Sequence, residues 1–454
     1  MTLFTWTAKD VTRALGRPEA SWDHAYTGIT TDTRALSEGE LFVALQGERF
    51  DAHDFLGDAR LAGVGGVVVR KGTPRWPGFD WFDVDDTLVA LGALARWRRD
   101  RFAGPVVAIT GTNGKTSTKE LTAAALGVRH TVHKSAKNLN NLVGVPLTIL
   151  AAPVEAGAMV VECGGSVRGE IGRMRAIVRP DVAVVTNVDA GHLEGFGSMQ
   201  AILEEKVSLL EGASVAIVGC KPAALPDAAR GAAQRVVTVS IEGPSDWMAD
   251  AVTMLPDGRS RFTVRGHEIE LPLRGRHMVG NALTALAAAE AAGVGLEAAA
   301  AGIATVSLPG GRSEVIDVEG CTIINDSYNA NPQSLAAALD LLVALRGKRR
   351  AVVVVGSMLE LGQGSEELHR EAARAVLRIG PDVIAAIGAF VPAFTEVGAG
   401  SATLVTGEGA LDVAPALREL VKEGDVVLLK GSRGMRLEQL LAALWPAAVQ
   451  GDAH

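Results

Sequence analysis

The chain has 454 residues, 48% of them hydrophobic and 21% charged, a globular balance with enough apolar side chains for several cores and too much length for one. A formal net charge of −8 argues against a general nucleic-acid binder, and no apolar run approaches the roughly 18 residues that span a bilayer. Three scattered cysteines, Cys163, Cys220 and Cys321, show no metal or redox spacing and point away from a disulfide framework or a zinc site.

The opening segment MTLFTWTAKDVTRAL lacks a basic stretch followed by an apolar one, so a cytosolic protein without membrane insertion is expected. Up to about residue 85, short strand-like runs such as ELFVAL and GVGGVVV alternate with Gly, Pro and Asp, which predicts a small α/β domain. LVALGALARWRRDRF, from Leu88 to Phe102, has helical periodicity and should stop at Gly104-Pro105. From Pro105 the runs VVAIT, AMVVE, DVAVVTN and SVAIVG are spaced by helix-length segments, the pattern of a parallel sheet wound on both sides. RSRFTVRGHEIELPL alternates as a hairpin turning at Arg265-Gly266-His267, and Met278 to Ala292 predicts a helix. After Arg312 the runs CTIIND, AVVVVG, DVIAAIG and DVVLLK repeat the alternation in a last α/β domain. The expected architecture is α/β in three domains, residues 1–85, 86–312 and 313–454, the central one doubly wound and the last Rossmann-like.

One stretch carries chemistry by itself. AITGTNGKTSTKEL places Gly111, Thr112, Asn113, Gly114, Lys115, Thr116 and Ser117 between a strand and a helix, the context of a phosphate-binding loop two residues shorter than the usual ATP pattern. The glycines let backbone approach phosphate oxygens, the helix N-terminus favours negative charge, Lys115 would reach the β- and γ-phosphates and the Thr116 hydroxyl a Mg²⁺ ion. A glycine-rich turn capping a helix is the bland alternative. Downstream strands of the same sheet end in Glu162 and in the cluster Asn187, Asp189, His192 and Glu194, where an open α/β sheet builds its crevice and where oxygen and imidazole ligands could hold Mg²⁺.

The set TGTNGKTST, NNLVGVPLT, TNVDAGHLEGFGS, LPGGR, NDSYNANPQS, MLELG and LLKGSRGMRLE resembles the Mur ligases of bacterial cell-wall synthesis over nearly the whole chain. YNANP and HLEGFGS resemble the branch that adds D-Ala-D-Ala to a UDP-N-acetylmuramoyl tripeptide. The short loop is also shared by folylpolyglutamate synthases, but GITTDTRALSEGELFVALQG resembles a uridine-nucleotide domain for which a folate ligase has no use. A nucleotide-gated binding protein is the reading from another class.

The resemblance implies ATP-dependent amide formation through an acyl phosphate, with ATP and two Mg²⁺ ions, two small-molecule substrates, and a monomer. It implies metal ligands Thr116, Glu162, His192 and Lys206, the last carbamylated by CO₂. Asn281, Asn325, Asp326 and Tyr328 would surround the adenosine, and Arg312 would reach the γ-phosphate. Thr30, Thr31, Asp32, Thr33, Arg34, Gln46, Asn138 and Asn141 would meet the uridine-diphosphate substrate. Asn329, Asn331, Ser357, Lys430, Ser432 and Arg433 would meet the incoming amine, the last three around a helix N-terminus suited to the dipeptide carboxylate. Two positions depart from the pattern: Ser357 stands where relatives usually have Asp, and Met278 where Asn usually follows the histidine.

Overall fold

The computed structural model describes residues 2–47 and 50–449. A two-stranded pair, β1 (Trp6–Thr7) and β2 (Ala25–Tyr26), precedes a four-stranded parallel sheet of β3 (Ile29–Thr30), β4 (Leu41–Val43), β5 (Gly66–Arg70) and β6 (Asp80–Val84). A helix at Thr87–Arg99 follows, its first turn capped by Asp86, whose carboxylate accepts from the Leu88 and Val89 amides. Trp6, Tyr26, Val68 and Phe82 share one apolar core with Leu91 and Leu94 of this helix and with one face of the next sheet.

That sheet holds seven parallel strands: β7 (Val106–Thr110), β8 (Val132–Lys134), β9 (Ala158–Glu162), β10 (Val182–Val185), β11 (Val215–Gly219), β12 (Arg235–Ser240) and β13 (Trp247–Met248). Their order is β13-β12-β11-β10-β7-β9-β8. Alternation decides which side each residue fills. Val106 and Ala108 join the core shared with the N-terminal region, whereas Val107 and Ile109 join a second core under the helices Lys115–Gly127 and His277–Ala291. The chain leaves β7 toward one edge and later returns to its other side as β10, so the ends of β7, β9 and β10 flank a topological switch point, the place where such sheets bind ligands.

Beyond it lies an antiparallel unit of β14 (Asp250–Met254), β15 (Arg259–Val264) and β16 (His267–Arg274). Its turn uses only Arg265 (φ 48°) and Gly266 (φ 81°), and His267 already pairs with Val264, which shortens the predicted turn by one residue. The last sheet comprises β17 (Glu314–Val318), β18 (Cys321–Asp326), β19 (Ala351–Gly356), β20 (Val383–Ile387), β21 (Thr403–Gly407) and β22 (Val426–Lys430), ordered β17-β18-β22-β19-β20-β21 with only β17 antiparallel. Sequence periodicity misses β17 and β21 because both are edge strands, half-exposed and mixed in polarity. One local prediction needs correction: LLKGSRGMRLEQLL is the expected strand, glycine-rich turn and helix, but Lys430, Ser432 and Arg433 precede the α-helix rather than surround its N-terminus. A 3₁₀ turn at Arg433–Met435 intervenes, and the α-helix starts at Glu438, away from Lys430 and Ser432.

Candidate functional site

The loop after β7 folds as glycine chemistry dictates. Gly111 has φ 145° and Gly114 φ 80°, and a Cβ on them would lie 1.9 Å from Thr186 Oγ1 and 2.4 Å from Asn281 Oδ1. The end of β10 anchors the loop: Asn113 N–H donates to Asn187 Oδ1 (3.0 Å), and its carbonyl accepts from Thr186 Oγ1 (2.6 Å). Lys115 opens the helix and bends back, its Nζ donating to the carbonyls of Gly111 (2.8 Å) and Thr112 (3.0 Å). It is half-buried rather than an exposed loop lysine, and burial holds its pKa below the ordinary lysine value.

The end of β9 delivers Glu162, 3% exposed, into the same space. Its carboxylate accepts from Thr116 Oγ1 (3.0 Å) and from Asn140 Nδ2 (2.9 Å), with Lys119 Nζ 3.9 Å away. Among the described residues no three acidic, histidine or cysteine side chains converge as a metal cage. One carboxylate and one hydroxyl nevertheless form the sparse oxygen set that suits Mg²⁺, which keeps several waters and draws further ligands from phosphates. His192, in left-handed backbone at φ 58°, pairs through Nδ1 with Glu360 of the C-terminal region, leaving Nε2 as its only available ligand atom. Burial and then the charge of Lys115 hold its pKa below the ordinary value, which keeps the ring neutral as a ligand must be.

Lys206 is 2% exposed and its ammonium has little to hold: the Gly165 carbonyl at 3.5 Å and the face of Phe196 at 5.5 Å. The neighbouring Glu205 is taken up elsewhere, accepting from the Gly169 and Ile171 amides (2.7 Å each). Burial, reinforced by Lys115, brings the Lys206 pKa down to about 7.

Lys115, Thr116, Glu162 and His192 line one cavity of about 980 Å³, closed on its far side by C-terminal residues; Lys206 is not on that wall but reaches the carbonyl of Gly165, which is. Arg312 lies over the Tyr328 ring at 3.7 Å, and its buried Nε has no hydrogen-bond partner among the described residues. Asp326 accepts from Ser313 N–H (2.9 Å) and pairs with Lys430 (2.7 Å), which also donates to the Asn329 carbonyl (2.6 Å). Asn281 donates to Met278 Sδ at 3.5 Å, so the thioether serves as its weak acceptor.

Several expected residues sit differently. Asn325 is not on the cavity wall; its side chain donates to Glu314 (2.8 Å) and accepts from Ser327 (2.6 Å). Ser357 is also off that wall, in a neighbouring depression of about 490 Å³, accepting from the Ala389 amide (2.8 Å). Lys430 is buried and neutralised by Asp326, whereas Arg433 on the rim is 65% exposed in its side chain. Asn331, Asn329 and Ser432 line the cavity, as do Asn138 and Asn141. Thr30, Thr31, Asp32, Thr33, Arg34 and Gln46 do not: Arg34 grips Asp32 (2.8 Å), and Gln46 accepts from Arg70 (2.6 Å). Sequence reasoning missed Asn140, Gln333 and Glu360 as site residues. Asn140 and Gln333 fall inside the quoted motifs NNLVGVPLT and NDSYNANPQS but have no chemistry of their own to flag them. Glu360 acts across a separation of 168 residues that no local pattern exposes.

Residues 109–289 match the family model described as Mur ligase middle domain, and residues 311–433 the one described as Mur ligase, glutamate ligase domain. The chain is 36% identical over 440 residues to the UDP-N-acetylmuramoyl-tripeptide–D-alanyl-D-alanine ligase of Bacillus subtilis (strain 168), covering 92% of this chain and 93% of that one. Among solved structures it resembles MurF from Acinetobacter baumannii, with TM-score 0.88, 31% identity, and 98% and 99% of the two chains covered. It also resembles MurF ligase from Thermotoga maritima in complex with ADP, with TM-score 0.83, 27% identity, and 93% and 98% covered.

Proposed function

The chain belongs to the Mur ligase family, and we infer that it is the ATP-dependent ligase joining D-Ala-D-Ala to a UDP-N-acetylmuramoyl tripeptide in peptidoglycan precursor synthesis. The observation that carries this reading is the cavity in which a phosphate loop, a buried carboxylate and Arg312, whose Nε has no hydrogen-bond partner among the described residues, face one another. In the reaction, an oxygen of the tripeptide's terminal carboxylate attacks the γ-phosphorus and ADP leaves. The dipeptide amine then attacks the resulting acyl phosphate at its carbonyl carbon, loses a proton and expels inorganic phosphate. Such chemistry asks mainly for positioning and for neutralisation of negative charge.

Lys115 would leave the Gly111 and Thr112 carbonyls for the β- and γ-phosphates, and Arg312 would meet the transferring group from the opposite wall. Thr116, Glu162 and His192 would hold Mg²⁺, which supplies charge neutralisation and orientation of the phosphates. Lys206 fits a carbamate: its neutral amine adds to CO₂, a proton is released, and the product is an anionic oxygen ligand in place of a buried ammonium. Asn281, Asp326 and Tyr328 are assigned to the nucleoside. The N-terminal 30–34 segment with Gln46 is assigned to the uridine diphosphate end, and Asn138 with Asn141 to the peptide end of that substrate. Asn329, Asn331, Ser432 and Arg433 are assigned to the amine side. The limits 1–85, 86–312 and 313–454 describe the corresponding domains. A monomer acting in the cytoplasm is part of the same proposal, the location resting on its use of ATP and a nucleotide-linked sugar.

The test is phosphate release from ATP with Mg²⁺, UDP-N-acetylmuramoyl tripeptide and D-Ala-D-Ala. Release is expected only with all of them present. Turnover with a folate and glutamate but not with the dipeptide would overturn the reading.

A further inference from the structure

The phosphate loop is tied to the C-terminal region by three neutral amides. Asn331 caps the helix Pro332–Arg346, its Oδ1 accepting from Ser334 N–H at 2.9 Å. That bond fixes the orientation of the amide, so Nδ2 is the atom that faces the loop, and it donates to Asn113 Oδ1 (2.7 Å). With its oxygen used, Asn113 donates from its own Nδ2 at short range to Gln333 Oε1 (2.6 Å), a residue 220 positions away, and at longer range to Asn331 Oδ1 (3.3 Å). The backbone of Asn113 is meanwhile held by Thr186 and Asn187 at the end of β10. Direction therefore passes unbroken from a helix cap in one region to the phosphate loop of another.

We propose that Asn113, Asn331 and Gln333 form a clasp through which docking of the C-terminal domain sets the shape of the phosphate loop, with Gln333 a positioning residue. Its groups are uncharged amides, so salt and pH leave its hydrogen bonds in place. Among the described residues only the acceptor oxygen of Gln333 is used. Gln333→Glu keeps that acceptor at a helix N-terminus, where a carboxylate is well tolerated, and Gln333→Ala removes it.

The experiment is amide hydrogen exchange on the ligand-free full chain, followed by ligase assays; the assay arm alone rests on the function proposed above. Gln333→Ala should speed exchange of the Thr112 to Thr118 amides by roughly 2- to 12-fold, the range of one lost hydrogen bond, while Gln333→Glu stays near wild type. In the assay, Gln333→Ala should lower kcat by a similar factor, and by less than about 2-fold when Asn113 is already Ala, because coupled groups are not additive. Unchanged exchange in Gln333→Ala, an equal rise in Gln333→Glu, or the same loss in both Asn113 backgrounds would overturn the clasp. A wild-type protein without ligase activity that still shows the exchange pattern would instead overturn the function and leave the clasp standing.

Discussion

Lys206 shows how much one residue can state about chemistry. A charged amine with a carbonyl at 3.5 Å and an aromatic face for company is poorly compensated, and its pKa near 7 makes the neutral, CO₂-reactive form abundant. Lys206→Ala should therefore abolish ligase activity, with partial recovery when acetate or formate is added; full activity without a supplement would exclude the carbamate. Lys115→Ala should cost about 10²- to 10³-fold in rate, the usual effect of losing one electrostatic donor. Because Lys115 also satisfies the Gly111 and Thr112 carbonyls, that variant should lose roughly 1–3 kcal/mol of stability in denaturant titration. Gly114→Ala should be worse for binding than for folding: its Cβ would push on Asn281 at 2.4 Å, and the left-handed backbone alone costs about 1–2 kcal/mol. Calorimetric ADP affinity in that variant is the measurement, and wild-type affinity would contradict the placement of the loop.

Among the elements, the segment Met358–Leu361 is held at its start by a buried histidine and further on by Ser432, whose Oγ accepts from Leu359 N–H (2.9 Å). His369, 1% exposed, accepts from Met358 N–H at Nε2 (2.9 Å) and donates from Nδ1 to the Ser365 carbonyl (2.7 Å), which requires the neutral ring. Burial holds its pKa below the ordinary value. The unfolded chain therefore takes up the proton first, at about pH 6.5, so the contribution is complete above that pH and is lost as pH falls toward the folded-state pKa. The melting temperature should drop between about pH 7 and pH 5, and His369→Gln, which keeps an acceptor for Met358, should flatten the drop. An unchanged slope would show that the other histidines whose pKa burial lowers, His133, His192 and His277, carry it instead. At the start of the helix Pro332–Arg346, Asn331→Ala should cost roughly 0.5–2 kcal/mol through the lost cap, visible in the same melts.

For the molecule as a whole, what was legible in the sequence was what repeats or what is local. Continuous apolar runs located the interior strands of both large sheets except Arg235–Ser240, whose polar residues interrupt the run, and the strand–loop–helix order around Gly111 to Thr116 located the phosphate loop. Edge strands such as Glu314–Val318 escaped because half-exposure dilutes the pattern, and the 3₁₀ turn at Arg433–Met435 because a glycine-rich stretch does not announce its helix type. The commitments of Lys430 to Asp326, Asn325 to Glu314 and Glu360 to His192 were illegible for another reason: they depend on which chain ends the sheets bring together. The central claim is that one enzyme activates a carboxylate with ATP and passes it to an amine. Its most direct test labels the terminal carboxylate of UDP-N-acetylmuramoyl tripeptide with ¹⁸O and follows the isotope by mass spectrometry during turnover with ATP and D-Ala-D-Ala. Turnover should give ADP, a new amide, and one labelled oxygen in the inorganic phosphate for each bond formed, whereas unlabelled phosphate, or AMP with pyrophosphate, would rule out an acyl phosphate.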